Sequence, residues 1–146
     1  MKVFYILLSV LAGSVLPLQA AINGKLGNSL GSPLYASLLS FLIGSIGLLV
    51  YGLISEGPPR FETLKQIQLS ELTGGLLGAF YVLVVILMLP KLGAALTFSL
   101  VVAGQMVVAL LLDHTGLLVQ VQHAINLWRI LGLLLIVAGV ILIRKF

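Results

Sequence analysis

Apolar residues fall in five long runs along this chain, and polar residues gather between them. The charge-poor runs cover 3–22, 34–54, 72–89, 94–112 and 127–143, or 20, 21, 18, 19 and 17 residues. A helix needs about 17–25 apolar residues to cross the hydrocarbon of a bilayer, so each run predicts one transmembrane helix. None shows the two-residue alternation of membrane-barrel strands. The runs take up most of the 146 residues and leave no room for an extramembrane domain. The expectation is an all-α integral membrane protein with five transmembrane helices in a single membrane domain, 1–146.

Composition strengthens this reading. The chain is 60% hydrophobic and 8% charged, against about 25% charged residues in a soluble domain, and its mean hydropathy is +1.23. The net charge of +4 would suggest nucleic acid in a soluble protein. Here the basic residues lie between apolar runs, where they act as topology signals and phospholipid contacts. The bilayer is therefore the expected partner and nucleic acid is not. The chain has no cysteine, which excludes disulfides and thiolate metal sites.

The first run has a competing interpretation. Lys2, an apolar core to Val15 and the segment 16–21 resemble a secretory signal peptide with cleavage after Ala20. Leu18 is large where a small residue is wanted, and the reading favoured here keeps the helix. Pro17 removes a backbone donor and should bend it between Gly13 and Pro17. Gln19 and Asn23 share a face by their four-residue spacing. Gln19 lies deeper and is the better candidate to line a pathway, while Asn23 is equally readable as an interfacial amide. The segment 23–33, rich in Gly, Asn and Ser, reads as a loop, with Pro33 starting the second helix. On that helix Ser40 and Gly44 have the spacing of a helix-packing face. In the segment 55–71, Phe61, Leu64, Ile67 and Gln68 suggest a short amphipathic turn.

The third run opens on Gly74, Gly75 and Gly78, a second candidate packing face. Tyr81 sits near mid-helix, where a hydroxyl must either bond across helices or line a pathway. Only 90–93 separates this run from the next, which carries Gln105 near its middle. An amide in hydrocarbon is costly without a partner or water. Gln105 and Tyr81, with Gln19 and Asn23, are the candidate substrate-binding residues. No Asp, Glu, Lys or His falls at the centre of any run, which disfavours proton coupling through an intramembrane carboxylate. It also favours a cargo that is neutral or amphipathic, or a cation held by aromatic faces. Asp113, His114 and His123 lack metal-site spacing and read as solvated loop side chains, so no metal or cofactor is expected. Trp128, Arg129, Arg144 and Lys145 read as interfacial anchors. No nucleophile–base pair is visible at any depth, and an enzyme is not expected.

Five crossings place the termini on opposite sides. Lys2, Arg60, Lys65 and Arg129 fall on one side and Lys25, Lys91, Arg144 and Lys145 on the other, a tie under the positive-inside rule. A tie is compatible with insertion both ways and pairing as an antiparallel homodimer, or with an opposite-topology paralogue as partner. Many transporters are two inverted repeats around a midplane site, and ten helices would offer a cavity that five do not.

The residues also carry a family resemblance. Gln19, Asn23-Gly24-x-Leu26-Gly27, Gly31-Ser32-Pro33, Ser40-Phe41-x-x-Gly44, Gly74-Gly75-x-x-Gly78-Ala79-x-Tyr81, Pro90-x-Leu92-Gly93-Ala94-Ala95, Gly104-Gln105 and Asp113-x-x-Gly116 follow in order over nearly the whole chain. Together they resemble the YdcZ-like family, a half-size, five-helix branch of the drug/metabolite transporter superfamily. The resemblance implies a multi-pass protein of the bacterial inner membrane whose relatives occur as dual-topology chains, opposite pairs or fused tandems. It carries over Gln19, Asn23, Tyr81, Gln105 and Asp113 but no substrate. The expectation is an exporter or exchanger of a small molecule by alternating access. The alternatives are a small channel of the same architecture and a non-transporting membrane partner.

Overall fold

The computed structural model describes residues 1–59, 62, 65–119 and 121–146. The described residues form five helices long and apolar enough to cross a membrane: α1 (Lys2–Leu30), α2 (Pro33–Ser55), α3 (Thr73–Leu92), α4 (Ala94–Thr115) and α5 (Leu127–Lys145). A 3₁₀ turn, Leu69–Leu72, leads into α3. The chain divides into two compact units, Met1–Leu89 and Pro90–Phe146. No more than 17% of the most apolar stretch of any span is buried. Lipid or a partner helix, rather than a protein core, must therefore solvate most of these side chains.

In the first unit α1 outlasts its apolar run by eight residues, ending at Leu30 instead of 22. The segment 23–30 has the composition of a loop, yet it stays helical because two of its residues, Asn23 and Gly27, are buried against neighbouring helices. The chain then reverses sharply. Gly31 adopts φ 64°, its N–H donates to the Asn28 carbonyl at 3.3 Å, and the Ser32 N–H donates to the Gly27 carbonyl at 3.0 Å. These two bonds form a Schellman motif. Ser32 is at once the cap of α2, its hydroxyl accepting from the Tyr35 N–H at 3.3 Å, and Pro33 fills the first helical position.

Gly27 is the point of closest approach. A Cβ placed there would lie 3.4 Å from Pro33 Cα, 3.6 Å from the Ala36 Cβ and 3.7 Å from Ile86 Cγ2, so α1, α2 and α3 meet around it. Ala36 is fully buried at 0% exposure. The Gly24 position faces Leu89 at 3.8 Å, and the Gly78 position faces the Phe41 ring at 3.5 Å. Of the packing candidates from sequence, Gly78 therefore packs within its own unit. A Cβ at Gly44, Gly74 or Gly75 would meet nothing within 4 Å among the described residues.

Ahead of α3, Glu71 is committed to a capping box. Its carboxylate accepts the Gln68 N–H at 3.1 Å, satisfying a backbone donor at the entrance of the helix. Of the amphipathic turn expected near 61–68, Phe61 and Leu64 lie outside the described residues.

The predicted connector 90–93 shrinks to one residue. α3 runs through Pro90 to Leu92 and α4 begins at Ala94. Gly93 takes φ 75° and ψ 165°, a conformation essentially confined to glycine. Its carbonyl caps α4, accepting the Thr97 N–H at 3.2 Å and the Thr97 hydroxyl at 2.6 Å.

The second unit is the hairpin of α4 and α5. α4 ends at Gly116, with φ 69°, and α5 starts under the Asn126 side chain, which accepts the Arg129 N–H at 3.0 Å. Asp113, His114, His123 and Arg129 tie these ends together while the two histidines stay exposed. The Arg129 guanidinium pairs with the Asp113 carboxylate at 3.1 Å and donates to the His123 carbonyl at 3.2 Å. The His123 N–H donates to the Asp113 carbonyl at 2.9 Å. The His114 ring nitrogen Nδ1 accepts the Ile125 N–H at 3.3 Å. At a membrane surface, unpaired backbone groups near two helix ends need such partners.

Candidate functional site

The face that α1 turns toward α3 is set by helical spacing. Leu16, Gln19, Ala20 and Asn23 follow one another at three- and four-residue steps and fall on one side of α1. From α3, Tyr81, Val82 and Val85 do the same. These seven residues enclose a cavity of about 10 Å³. Further along α1, the Gly24 position faces Leu89 and the Gly27 position faces Ile86 of α3. Ala20 is buried, and its small side chain leaves space beside the two amides.

Three of the four candidate binding residues, Gln19, Asn23 and Tyr81, thus share one cavity wall. Asn23 is only 4% exposed, because α1 continues past it as a packed helix where the apolar run had suggested an end. The Asn23 Nδ2 and Tyr81 hydroxyl are buried without a hydrogen-bond partner. Most buried polar atoms in proteins are paired, so these two unpaired groups stand out among the residues that line the cavity. Gln19 is exposed at the rim. The chemistry of the wall is uncharged: two amides, a phenol and apolar carbons.

Gln105 belongs to the second unit, is exposed, and is not part of this wall. On α4 the residues that face α5 line two grooves. One, of about 320 Å³, includes Ala95, Phe98, Ser99, Val102, Gly139 and Val140. The other, of about 270 Å³, includes Met106, Ala109, Gly132, Leu133 and the Asp113–Arg129 pair. Gln105 sits off that stripe. Sequence reasoning did not single out Ala20, Val82 or Val85 as cavity residues. The signal that could have found them is their spacing from Gln19, Asn23 and Tyr81 on a common helical face.

Among the described residues no group of three or more His, Cys, Asp or Glu could hold a metal ion. The polar atoms of the cavity suit a hydrogen-bonded organic group or water.

No curated protein and no solved structure matches the chain. The family described as "Putative inner membrane exporter, YdcZ" matches residues 4–142. That span takes in both compact units and nearly all of each helix, with the cavity residues of α1 and α3 inside it, and the chain belongs to this family.

Proposed function

We propose that this chain is one half of a membrane exporter that moves a small neutral or amphipathic molecule by alternating access, with Asn23, Tyr81 and Gln19 holding the cargo. The observation that carries this reading is that Asn23 and Tyr81, each with a buried polar atom that lacks a partner, line one small cavity between two membrane-spanning helices. A structural seam would pair such groups, since each unpaired one costs about 1–3 kcal/mol. A binding site holds them ready for a ligand.

The absence of charge from the cavity wall supports a cargo without net charge. A desolvated ion would need a countercharge. Two carboxylates near helix ends, Glu71 and Asp113, are already engaged in a cap and an ion pair, which argues against their acting as proton carriers.

The cavity is far too small for a metabolite as it stands, so loading requires α1 and α3 to part. The companion half is an inverted second copy. The tie in Lys and Arg between the two sides supports it, as do the faces of Gly44, Gly74 and Gly75, which would let another helix approach closely. Gln105, exposed in mid-helix, then meets the pathway or that partner rather than lipid.

The test is counterflow in proteoliposomes preloaded with an unlabelled mixture of sugars, polyols and amino acids, with each labelled probe added outside in turn. At least one probe should overshoot equilibrium, and Asn23→Leu should abolish the overshoot. No counterflow with any probe, together with non-saturating ion current in planar bilayers, would replace the exporter with a channel.

A further inference from the structure

The connection between α4 and α5 differs in kind from the other long connection. Residues 114–128 contain no Asp, Glu, Lys or Arg, whereas the segment 55–71 contains Glu56, Arg60, Glu62, Lys65 and Glu71. A segment with that many full charges belongs in water, because each is costly to bring toward hydrocarbon. The uncharged segment carries no such cost.

Its hydrogen bonds gather at its base. A Cβ on Gly116 would lie 3.3 Å from Gln122 Cδ, and Gln122 Nε2 donates to the His114 carbonyl at 2.7 Å. The His123 N–H and the Ile125 N–H are held by Asp113 and His114. The loop is thus closed where Gly116 meets Gln122. Beyond that closure Leu117, Leu118 and Val121 are exposed, Leu118 at 91%. Leu118 is also the one non-glycine residue with a positive φ, 62°, among the described residues. Leucine seldom adopts that conformation, and a side chain so exposed has little protein contact to offset the strain.

The same end of the hairpin presents Leu127 and Trp128, both exposed, and Trp128 is the only tryptophan in the chain. Tryptophan concentrates at the boundary between membrane and water. Both limbs of the loop issue from helices long and apolar enough to cross a membrane, so this boundary is the phase that the loop meets. An apolar patch of this kind calls for a partner, and lipid is the partner continuous with the exposed flanks of α4 and α5.

We infer that Leu117, Leu118 and Val121 seat the α4–α5 loop in the bilayer interface, among the upper acyl-chain carbons of the phospholipids. Interfacial apolar faces reach about 5–10 Å into that boundary. Seated there, the loop holds this end of the α4–α5 hairpin at a fixed depth. The inference stands apart from the exporter reading.

The absence of cysteine and the single tryptophan give two independent reporters on the full-length protein in lipid nanodiscs, whose two faces are both open to water. In the first, Leu118→Cys carries a nitroxide label, and its collisions with oxygen, which concentrates in lipid, are compared with those of a water-soluble nickel chelate. Oxygen should win at 118, and the chelate should win at Glu56→Cys, exposed in the charged segment. In the second, Leu118→Trp is placed in a Trp128→Phe background. Its emission should lie to the blue of free tryptophan amide. Phospholipid brominated high on the acyl chain should quench it, and iodide should not. If the chelate and iodide reach 118 as readily as they reach 56, the loop stands in water. If neither the lipid-borne nor the aqueous quenchers reach it, protein covers the loop, from a second copy or from the rest of the chain. Either result overturns the inference. None of these readouts involves transport, so a failed counterflow experiment leaves the interfacial seat standing.

Discussion

Gly27, where three helices converge, allows a prediction whose sign depends on the size of the substituent. A methyl group on Gly27 would lie 3.4–3.7 Å from Pro33, Ala36 and Ile86, which is ordinary carbon–carbon contact. Each such contact is worth about 0.1–0.2 kcal/mol. Alanine also gains up to about 0.8–1.0 kcal/mol over glycine in helix propensity, although less where the unfolded reference in detergent stays helical. Gly27→Ala should therefore stabilise the protein by about 0.5–1 kcal/mol, a rise of about 2–4 °C per kcal/mol for a chain of this size.

Valine reverses the sign. Its two further methyl groups extend about 1.5 Å beyond Cβ, into the same three neighbours. The stiff χ1 of a β-branched residue in a helix stops them swinging clear. Overpacking of this kind costs about 1–3 kcal/mol. The measurement is the fraction of detergent-purified protein that stays monodisperse on size exclusion after heating in steps. If Gly27→Val melts with or above the parent protein, the convergence of α1, α2 and α3 at Gly27 is wrong. If Gly27→Ala melts well below it, the contact distances are wrong.

Other expectations follow from the backbone, the ion pair and the charge tie. Gly93→Ala should cost about 1–3 kcal/mol, because φ 75° with ψ 165° is strained for any residue with a Cβ; unchanged melting would show that the turn relaxes. Asp113→Asn and Arg129→Gln should each lower the midpoint, with a coupling in the double variant of about 0.5–1 kcal/mol that shrinks in about 1 M salt; additive effects would mean that the 3.1 Å pair is not formed in solution. Reporter fusions at Phe146 should find the carboxyl terminus on both sides of the membrane, and a single location would exclude the antiparallel homodimer.

The five spans were legible in sequence because burial in lipid demands an unbroken apolar run, and nothing else in this chain resembles one. The cost of a polar group at depth singled out Tyr81 and Gln19, which line the small cavity, and equally Gln105, which is not among its lining residues. The extent of α1 was not legible. Asn23, Gly24 and Gly27 look like loop residues in isolation, and contact with Pro33 and Ala36 of α2 and with Ile86 and Leu89 of α3 explains why they stay helical. Glycine spacing was a weaker guide than it looked. It marks where a helix can be approached, not which helix comes: Gly78 meets Phe41, while the positions at 44, 74 and 75 have no neighbour among the described residues. The Asp113–Arg129 pair joins residues 16 apart across a loop, and no periodicity links such positions.

The capped Glu71 and the paired Asp113 bear on the energetics of the proposed machine. A transporter that draws on the proton gradient through a carboxylate must let that group gain and lose a proton once per cycle. Here one carboxylate would have to abandon a helix start to do so, and the other a guanidinium. With those two groups withheld, the proposed cycle does not draw on their protonation, and the cargo's own concentration difference is the driving force we propose. Flux through the proposed exporter should then reverse when that gradient is reversed and be indifferent to uncouplers, so "export" would describe the cell's metabolism rather than a ratchet in the protein.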